Sequence, residues 1–202
     1  MGLRGRMRSR TLDWMMRQMN DLRHETVGAA EADVLEVGFG TGLNLDFYSD
    51  RVSSLVGLEP NPPEGLTALE ERLARAAFPV ERCGLLADSE LPFDAGRFDC
   101  VVSTWTLCSI PDAGRALAEM RRVVRPGGRL LFIEHGRAEK QSTARWQDRL
   151  NPLWVRITAG CNMNRPIDLL VEEAGFELVD LQRFQARGPG VLAHTYRGVA
   201  EA

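Results

Sequence analysis

The chain has 202 residues, 44% of them hydrophobic and 26% charged, enough for one globular domain with a sizeable core of its own. Lys and Arg number 25 against 28 Asp and Glu, a net charge of −3, which argues against a whole-domain grip on nucleic acid because neutralising phosphates takes a basic face. The four cysteines (83, 100, 108 and 161) form no C-x-x-C pair, there is no signal peptide, and no apolar run nears the ~18 residues of a membrane span; the expectation is a reduced, cytoplasmic protein without a metal site.

In chain order, residues 1–10 carry Arg4, Arg6, Arg8 and Arg10 and are expected to form a flexible basic tail ahead of a single domain at 11–202. In TLDWMMRQMNDL, Leu12, Met15, Met16, Met19 and Leu22 follow helical spacing, with Thr11 as the cap. Such a stripe suits docking on the domain, a lid over a ligand, or a peripheral membrane contact aided by the arginines.

From Asp33 short apolar runs alternate with helical stretches. ADVLEVG predicts a strand, followed by the turn GFGTG and a helix from LNLDFY. VSSLVGLE is a second strand, GLTALEERLARAA a helix and VERCGLLA a third strand. FDCVVSTWTL, nearly continuous in apolar character, is a fourth strand suited to burial on both faces. AGRALAEMRRVV is a helix ended by Pro126-Gly127-Gly128, and RLLFIEHG is the fifth strand. Residues 137–165 break the alternation as an insert. PIDLLVEEAG is a helix stopped by Gly175, and FELVDLQRF and LAHTYRGVAEA close as a pair of strands. The implied fold is α/β: a doubly wound, mostly parallel seven-stranded sheet with an N-terminal helix and an insert after the fifth strand.

The chemistry concentrates at strand ends. Gly38, Gly40 and Gly42 in Glu36-Val37-Gly38-Phe39-Gly40-Thr41-Gly42 allow a tight turn and close approach of a ligand to the backbone. The third glycine comes one residue too early for a dinucleotide motif, and Glu36 is a poor neighbour for a pyrophosphate. It suits a ligand bearing an ammonium. Glu59 ends the second strand 21 residues after Gly38, where a carboxylate accepts ribose hydroxyls. Ala87-Asp88-Ser89 follows the third strand, where an adenine edge arrives, and Asp88 is either an acceptor for its amine or a turn residue.

VLEVGFGTG, GLEPN, LPFDAGRFDCVV and VVRPGGRLLFIEH together resemble successive motifs of the class I S-adenosylmethionine-dependent methyltransferases, over nearly the whole chain. GTGLNLDFY, TLCSI, Glu134-His135, WQDRLNPLW, GCNMNR and HTYRG resemble more specifically the methyltransferase-like alkyl-thiol S-methyltransferases. The resemblance implies a Rossmann-like methyltransferase fold, S-adenosyl-L-methionine as cofactor and S-adenosyl-L-homocysteine as product. It implies cofactor contacts at Glu36, Gly38, Gly40, Gly42, Asn44, Glu59, Pro60, Ala87, Asp88 and Ser89, with Thr104-Trp105 bordering the methionine portion. Two departures stand out. The adenine-site aspartate lies one position later than usual, with Ala87 in its place, and the relatives' apolar N-terminal anchor has no counterpart here.

The expected reaction is methyl transfer to a small acceptor, a thiol first, with C-methylation of a quinone precursor or N-methylation of a phospholipid head group as alternatives. A non-enzymatic cofactor-binding subunit is a further reading. Trp105, Leu107, Trp146 and Trp154 are candidates for an apolar acceptor pocket or for plain core packing. His135, at the end of the fifth strand, is either the base that takes the thiol proton or an anchor for the insert. Glu134 points to the other side of that strand. Cys83 and Cys100 lie within strands, Cys108 and Cys161 are read as core thiols before redox ones, and His194 is structural or lines the pocket.

Overall fold

Successive side chains of the segment Ala32–Val37, strand β1, enter two different cores, and this fixes the layers. Val34 packs with Leu55, Cys100, Val102 and Leu131, whereas Leu35 and Val37 pack with Val101, Leu117, Met120 and Phe132. A strand buried on both faces belongs in the middle of a helix-covered parallel sheet. The computed structural model, which describes residues 19–60, 67–158, 160–186 and 190–202, places it there. The other strands are β2 (Val52–Leu58), β3 (Val80–Cys83), β4 (Phe98–Thr104), β5 (Val124–His135), β6 (Glu177–Gln185) and β7 (His194–Glu201), in the order β3-β2-β1-β4-β5-β7-β6. β1 to β5 run parallel, and β7 enters antiparallel between β5 and β6. The seven-stranded, mostly parallel doubly wound sheet is as expected.

The helices are α1 (Asn20–Val27), α2 (Thr67–Arg75), α3 (Ala113–Val123), α4 (Gln141–Ile157) and α5 (Ile167–Glu173). In α3, Ala113, Ala116, Leu117, Met120 and Val123 form one buried stripe. The Asp112 carboxylate caps its start by accepting from the Arg115 N–H at 2.9 Å. α5 ends before Gly175, whose φ of +88° is the left-handed stop that a glycine allows.

Three expectations change. The stretch after the glycine turn is one 3-10 turn, Leu43–Asp46, because so few residues separate it from β2 and Asn44 turns inward instead of continuing a helix. α3 stops at Val123, before Pro126, and the Pro-Gly-Gly turn lies inside β5, where pairing moves from Val124 opposite Phe98 to Arg129 opposite Cys100. The insert contains a 17-residue helix, α4, that accommodates Pro152. The basic tail and most of the Thr11-capped Met-rich helix lie outside the described residues; α1 begins at Asn20, near that helix's expected end.

The strand order reverses between β1 and β4, so a crevice opens beyond their carboxyl ends. The ends of β1, β2, β4 and β5 carry Gly38, Glu59, Trp105 and His135 to that edge.

Candidate functional site

Two neighbouring cavities occupy this crevice. The larger, about 410 Å³, reaches from Glu36 and Asn44 past Trp105 to His135 and Trp154. The smaller, about 370 Å³, is lined by Glu59, Pro60, Ala87 and Asp88. Gly38, Thr106 and Ser109 border both, so one elongated ligand can lie across the glycine turn with an end in each.

The turn is held by its own geometry. Gly38, Gly40 and Gly42 have φ of +81°, +53° and +71°, values that an L side chain rarely adopts. A Cβ on Gly38 would lie 2.0 Å from the Thr106 Oγ1. The Gly40 N–H donates to Glu59 Oε2 at 3.1 Å, tying the turn to the end of β2.

Behind the turn, Glu36 is 1% exposed and accepts from Asn44 Nδ2 at 2.9 Å and from the Tyr48 hydroxyl at 2.8 Å. Asn44 Nδ2 also reaches Thr104 Oγ1 at 3.0 Å. Arg23, from α1, donates to Asn44 Oδ1 and, at 3.3 Å, to Thr104 Oγ1. Burial pushes the Glu36 carboxyl up to about 7, against the opposing pull of the Tyr48 hydrogen bond, Arg23 and Asn44. A carboxyl so placed is stabilised in its charged form by a bound cationic group.

The loop after β4 hangs on one buried carboxylate. Glu134, 0% exposed, accepts from Ser103 Oγ and from the N–H groups of Thr106, Leu107 and Cys108 at 2.9–3.2 Å. This clamp holds Trp105 at φ +51°, a left-handed conformation for a bulky residue, and Arg23 stacks over its indole at 4.7 Å. Burial nevertheless raises the Glu134 carboxyl's affinity for a proton.

At the far end the half-buried His135 faces away from Glu134. Its Nδ1 lies 3.8 Å from Cys161 Sγ, which lies 3.5 Å from Cys108 Sγ. The hydrogen bond between the sulfurs raises Cys108 and, with His135 beside it, lowers Cys161. Two features of the insert position these groups. Asn162 donates its backbone N–H and its amide to the Cys108 carbonyl at 2.7 and 3.1 Å, and Asn151 holds Asn162 and Met163. Gln147, fully buried, bridges Gly136, Ala138, Met163 and Val191. The WQDRLN and GCNMNR segments thus fasten α4 to the end of β5.

Of the sequence candidates, Glu36, Gly38, Gly40, Asn44, Thr104, Trp105, His135 and Trp154 meet in the larger cavity. Glu59, Pro60, Ala87 and Asp88 meet in the smaller one. Gly42 sits behind the turn against Leu45 and Leu69. Ser89 donates its hydroxyl to the Leu86 carbonyl at 2.6 Å and lines neither cavity. Two acceptor-pocket assignments are corrected. Leu107 is fully buried in the core, and Trp146 is 54% exposed on the outer side of α4. His194 lines a separate small cavity with Arg137 and Tyr196. His135 meets the insert through a side chain: the partner found for its ring among the described residues is the Cys161 sulfur, and not the insert's backbone. Sequence reasoning missed Arg23, for which no motif exists, and the meeting of Cys108 with Cys161.

A methyltransferase domain model matches residues 35–132. The chain is 35% identical over 162 residues to the Homo sapiens thiol S-methyltransferase TMT1A, covering 78% of this chain and 65% of that protein. It is 35% identical over 173 residues to the Mus musculus thiol S-methyltransferase TMT1B, covering 82% of this chain and 67% of that protein. The chain thus spans about two thirds of these relatives' length, 65% for the human one. In fold it is similar to the Burkholderia thailandensis 1,6-didemethyltoxoflavin-N1-methyltransferase, crystallised with S-adenosylhomocysteine, with a TM-score of 0.65, 21% identity and coverage of 91% of this chain and 77% of that one. Sheet order, glycine turn and sequence kinship together place this chain in the class I S-adenosylmethionine-dependent methyltransferase family, near its thiol S-methyltransferases.

Proposed function

We propose that the chain transfers the methyl group of S-adenosylmethionine to the sulfur of a small apolar thiol. The observation that carries this reading is the larger cavity, which joins the Glu36–Asn44 end to the His135–Cys161 end with the indoles of Trp105 and Trp154 on its wall. S-adenosylmethionine supplies a methyl carbon activated by a positive sulfonium. Glu36 takes the ammonium of its methionine portion, Arg23 faces the carboxylate, Glu59 accepts from the ribose and the Ala87-Asp88 turn meets the adenine. Trp105 and Trp154 exclude water from the acceptor sulfur, and His135 stands where help in removing its proton is needed. Orientation and dryness supply much of the acceleration in such a displacement.

Four free cysteines suit a reducing compartment, and we place the reaction in the cytoplasm. No helix among the described residues is long and apolar enough to cross a membrane. Peripheral contact with a lipid surface, where apolar thiols partition, belongs to the reading; the exposed Trp146, Leu150, Leu153 and Ile157 along α4 support it.

Calorimetry tests the cofactor assignment. Glu59→Ala is expected to weaken S-adenosylmethionine binding by about 1–3 kcal/mol. For the wild type, ammonium binding requires ionised Glu36, which burial pushes up to about 7. Below that pH the empty chain must first lose a proton, so affinity falls as pH falls, by about tenfold between pH 8 and pH 6, with proton release on binding. A flat affinity over this range, or NADH binding more tightly, would contradict the assignment. For the acceptor, labelled methyl groups are expected on alkyl thiols in preference to a quinol or phosphatidylethanolamine. Label on the quinol or the lipid but on no thiol replaces the thiol reading with one of those two.

A further inference from the structure

Cys108, His135 and Cys161 come from the loop after β4, the end of β5 and the loop after α4, yet each offers a ligand atom within 4.8 Å of the other two. The two sulfurs are 3.5 Å apart, and Cys161 Sγ is 3.8 Å from His135 Nδ1. Around a tetrahedral zinc ion, with bonds of ~2.3 Å to sulfur and ~2.0–2.1 Å to nitrogen, neighbouring sulfurs stand about 3.8 Å apart and a sulfur and a nitrogen about 3.6 Å. Two of the three separations differ from these by a few tenths of an ångström, and the third, between Cys108 Sγ and the His135 ring, lies within 4.8 Å, so a small side-chain rotation closes the set on one ion. Two thiols and an imidazole are a donor set for zinc rather than for magnesium or calcium, which take oxygen.

The scaffold already holds the three donors in place. Glu134 fixes the Cys108 N–H, and Asn162 ties the Cys161 loop to the Cys108 carbonyl. All three residues also line the larger cavity. A site with three protein ligands and one position open to a substrate cavity is of the catalytic kind, whereas structural zinc sites close with four protein ligands.

We propose that Cys108, His135 and Cys161 bind one zinc-class divalent cation whose fourth position, open to the cavity, takes the sulfur of the acceptor thiol. The fourth ligand rests on the thiol reading above, while the three-residue site does not. Cation uptake releases the protons of the two cysteines. An entering thiol gives its proton to solvent and binds as thiolate, with no change in the cation's charge or oxidation state. A lone pair of the bound sulfur then forms the new bond to the methyl carbon, while the carbon–sulfonium bond breaks and its electron pair stays on the departing thioether. His135 thereby assists loss of the thiol proton as a ligand of the cation. No sequence motif announces such a site, because the ligands lie 27 and 26 residues apart and meet only in the fold.

The test uses the full chain, reduced, stripped with a chelator and shown by its melting curve to be folded. Zn²⁺ is titrated in competition with a chromogenic chelator, and Co²⁺ is followed by absorbance. One equivalent per chain is expected, with tetrahedral d–d bands, a thiolate-to-cobalt charge-transfer band, and a change in both when an alkyl thiol is added. Cys161→Ser and His135→Ala should each weaken binding about 100-fold or more while remaining folded. Absence of stoichiometric uptake by the folded, reduced chain, or uptake undiminished in both variants, overturns the site. Undiminished thiol methylation by the stripped chain overturns the cation's role and leaves thiol methylation standing. Metal uptake by a chain that methylates no thiol supports the three-residue site and overturns the thiol reading.

Discussion

His135→Ala is expected to lower turnover of an alkyl thiol at pH 7 by about 10²–10⁴-fold, the range for a group that assists proton removal, while S-adenosylmethionine affinity stays within about twofold. The half-buried imidazole lies at the opposite end of the larger cavity from Glu36 and Asn44, so its loss leaves the proposed cofactor contacts in place. Without it the thiol must ionise unaided, and a thiol of ordinary pKa (~8.5 for a cysteine-like group) is only a few per cent thiolate near neutrality. Raising the pH therefore recovers part of the lost rate. Rates measured from pH 7 to pH 10, alongside a melting curve, check this expectation. An equal loss at both ends of the range, or a collapse of stability, would show that His135 serves the fold and not the thiol.

The second large effect concerns Glu134, which touches neither ligand end. Glu134→Ala leaves the Ser103 hydroxyl and three backbone N–H groups without their acceptor in a fully buried place. Orphaned buried donors cost about 1–3 kcal/mol each, and partial relaxation of the loop brings the expected loss to about 3–5 kcal/mol. For a domain of this size that is a fall in melting temperature of roughly 10 °C. Methyl transfer falls as well, since Trp105 is held at its positive φ by the same clamp. Glu134→Gln keeps one oxygen acceptor but turns an amide N–H toward one of the donors, so its loss is smaller. Denaturant titration of the three proteins gives the order, and a wild-type melting curve for Glu134→Ala would refute the clamp.

What could be read in the sequence was local. The acidic residue, the three glycines and Glu59 at its spacing lie within one strand–turn–strand stretch, and the fold brings them together without help from distant parts. The alternation of apolar strands and helical stretches likewise determined the sheet, because each strand's burial is written in its own residues. Other features needed three dimensions. Trp146 and Trp154 were equivalent candidates until α4 became a helix; eight residues at 100° each put them about 80° apart around its axis, one facing solvent and one facing the cavity. The two-residue period of a strand already sent Glu134 to the face opposite His135, but its four donors come from the end of β4 and the loop beyond, and only the fold shows them. The Leu43 segment had helical character and too little chain to express it before β2 began. The meeting of Cys108 with Cys161 depends on the path of the insert, which no local pattern encodes.

The measurement that bears most directly on the central claim is a single-turnover reaction, with the full chain in excess over S-adenosylmethionine carrying an isotopically labelled methyl group and an alkyl thiol present. The account predicts one labelled methyl thioether and one S-adenosylhomocysteine for each cofactor consumed, and no methyl ether when the corresponding alcohol replaces the thiol. Consumption of the cofactor without thioether, or no consumption by a chain that calorimetry shows to have bound it, would contradict the claim.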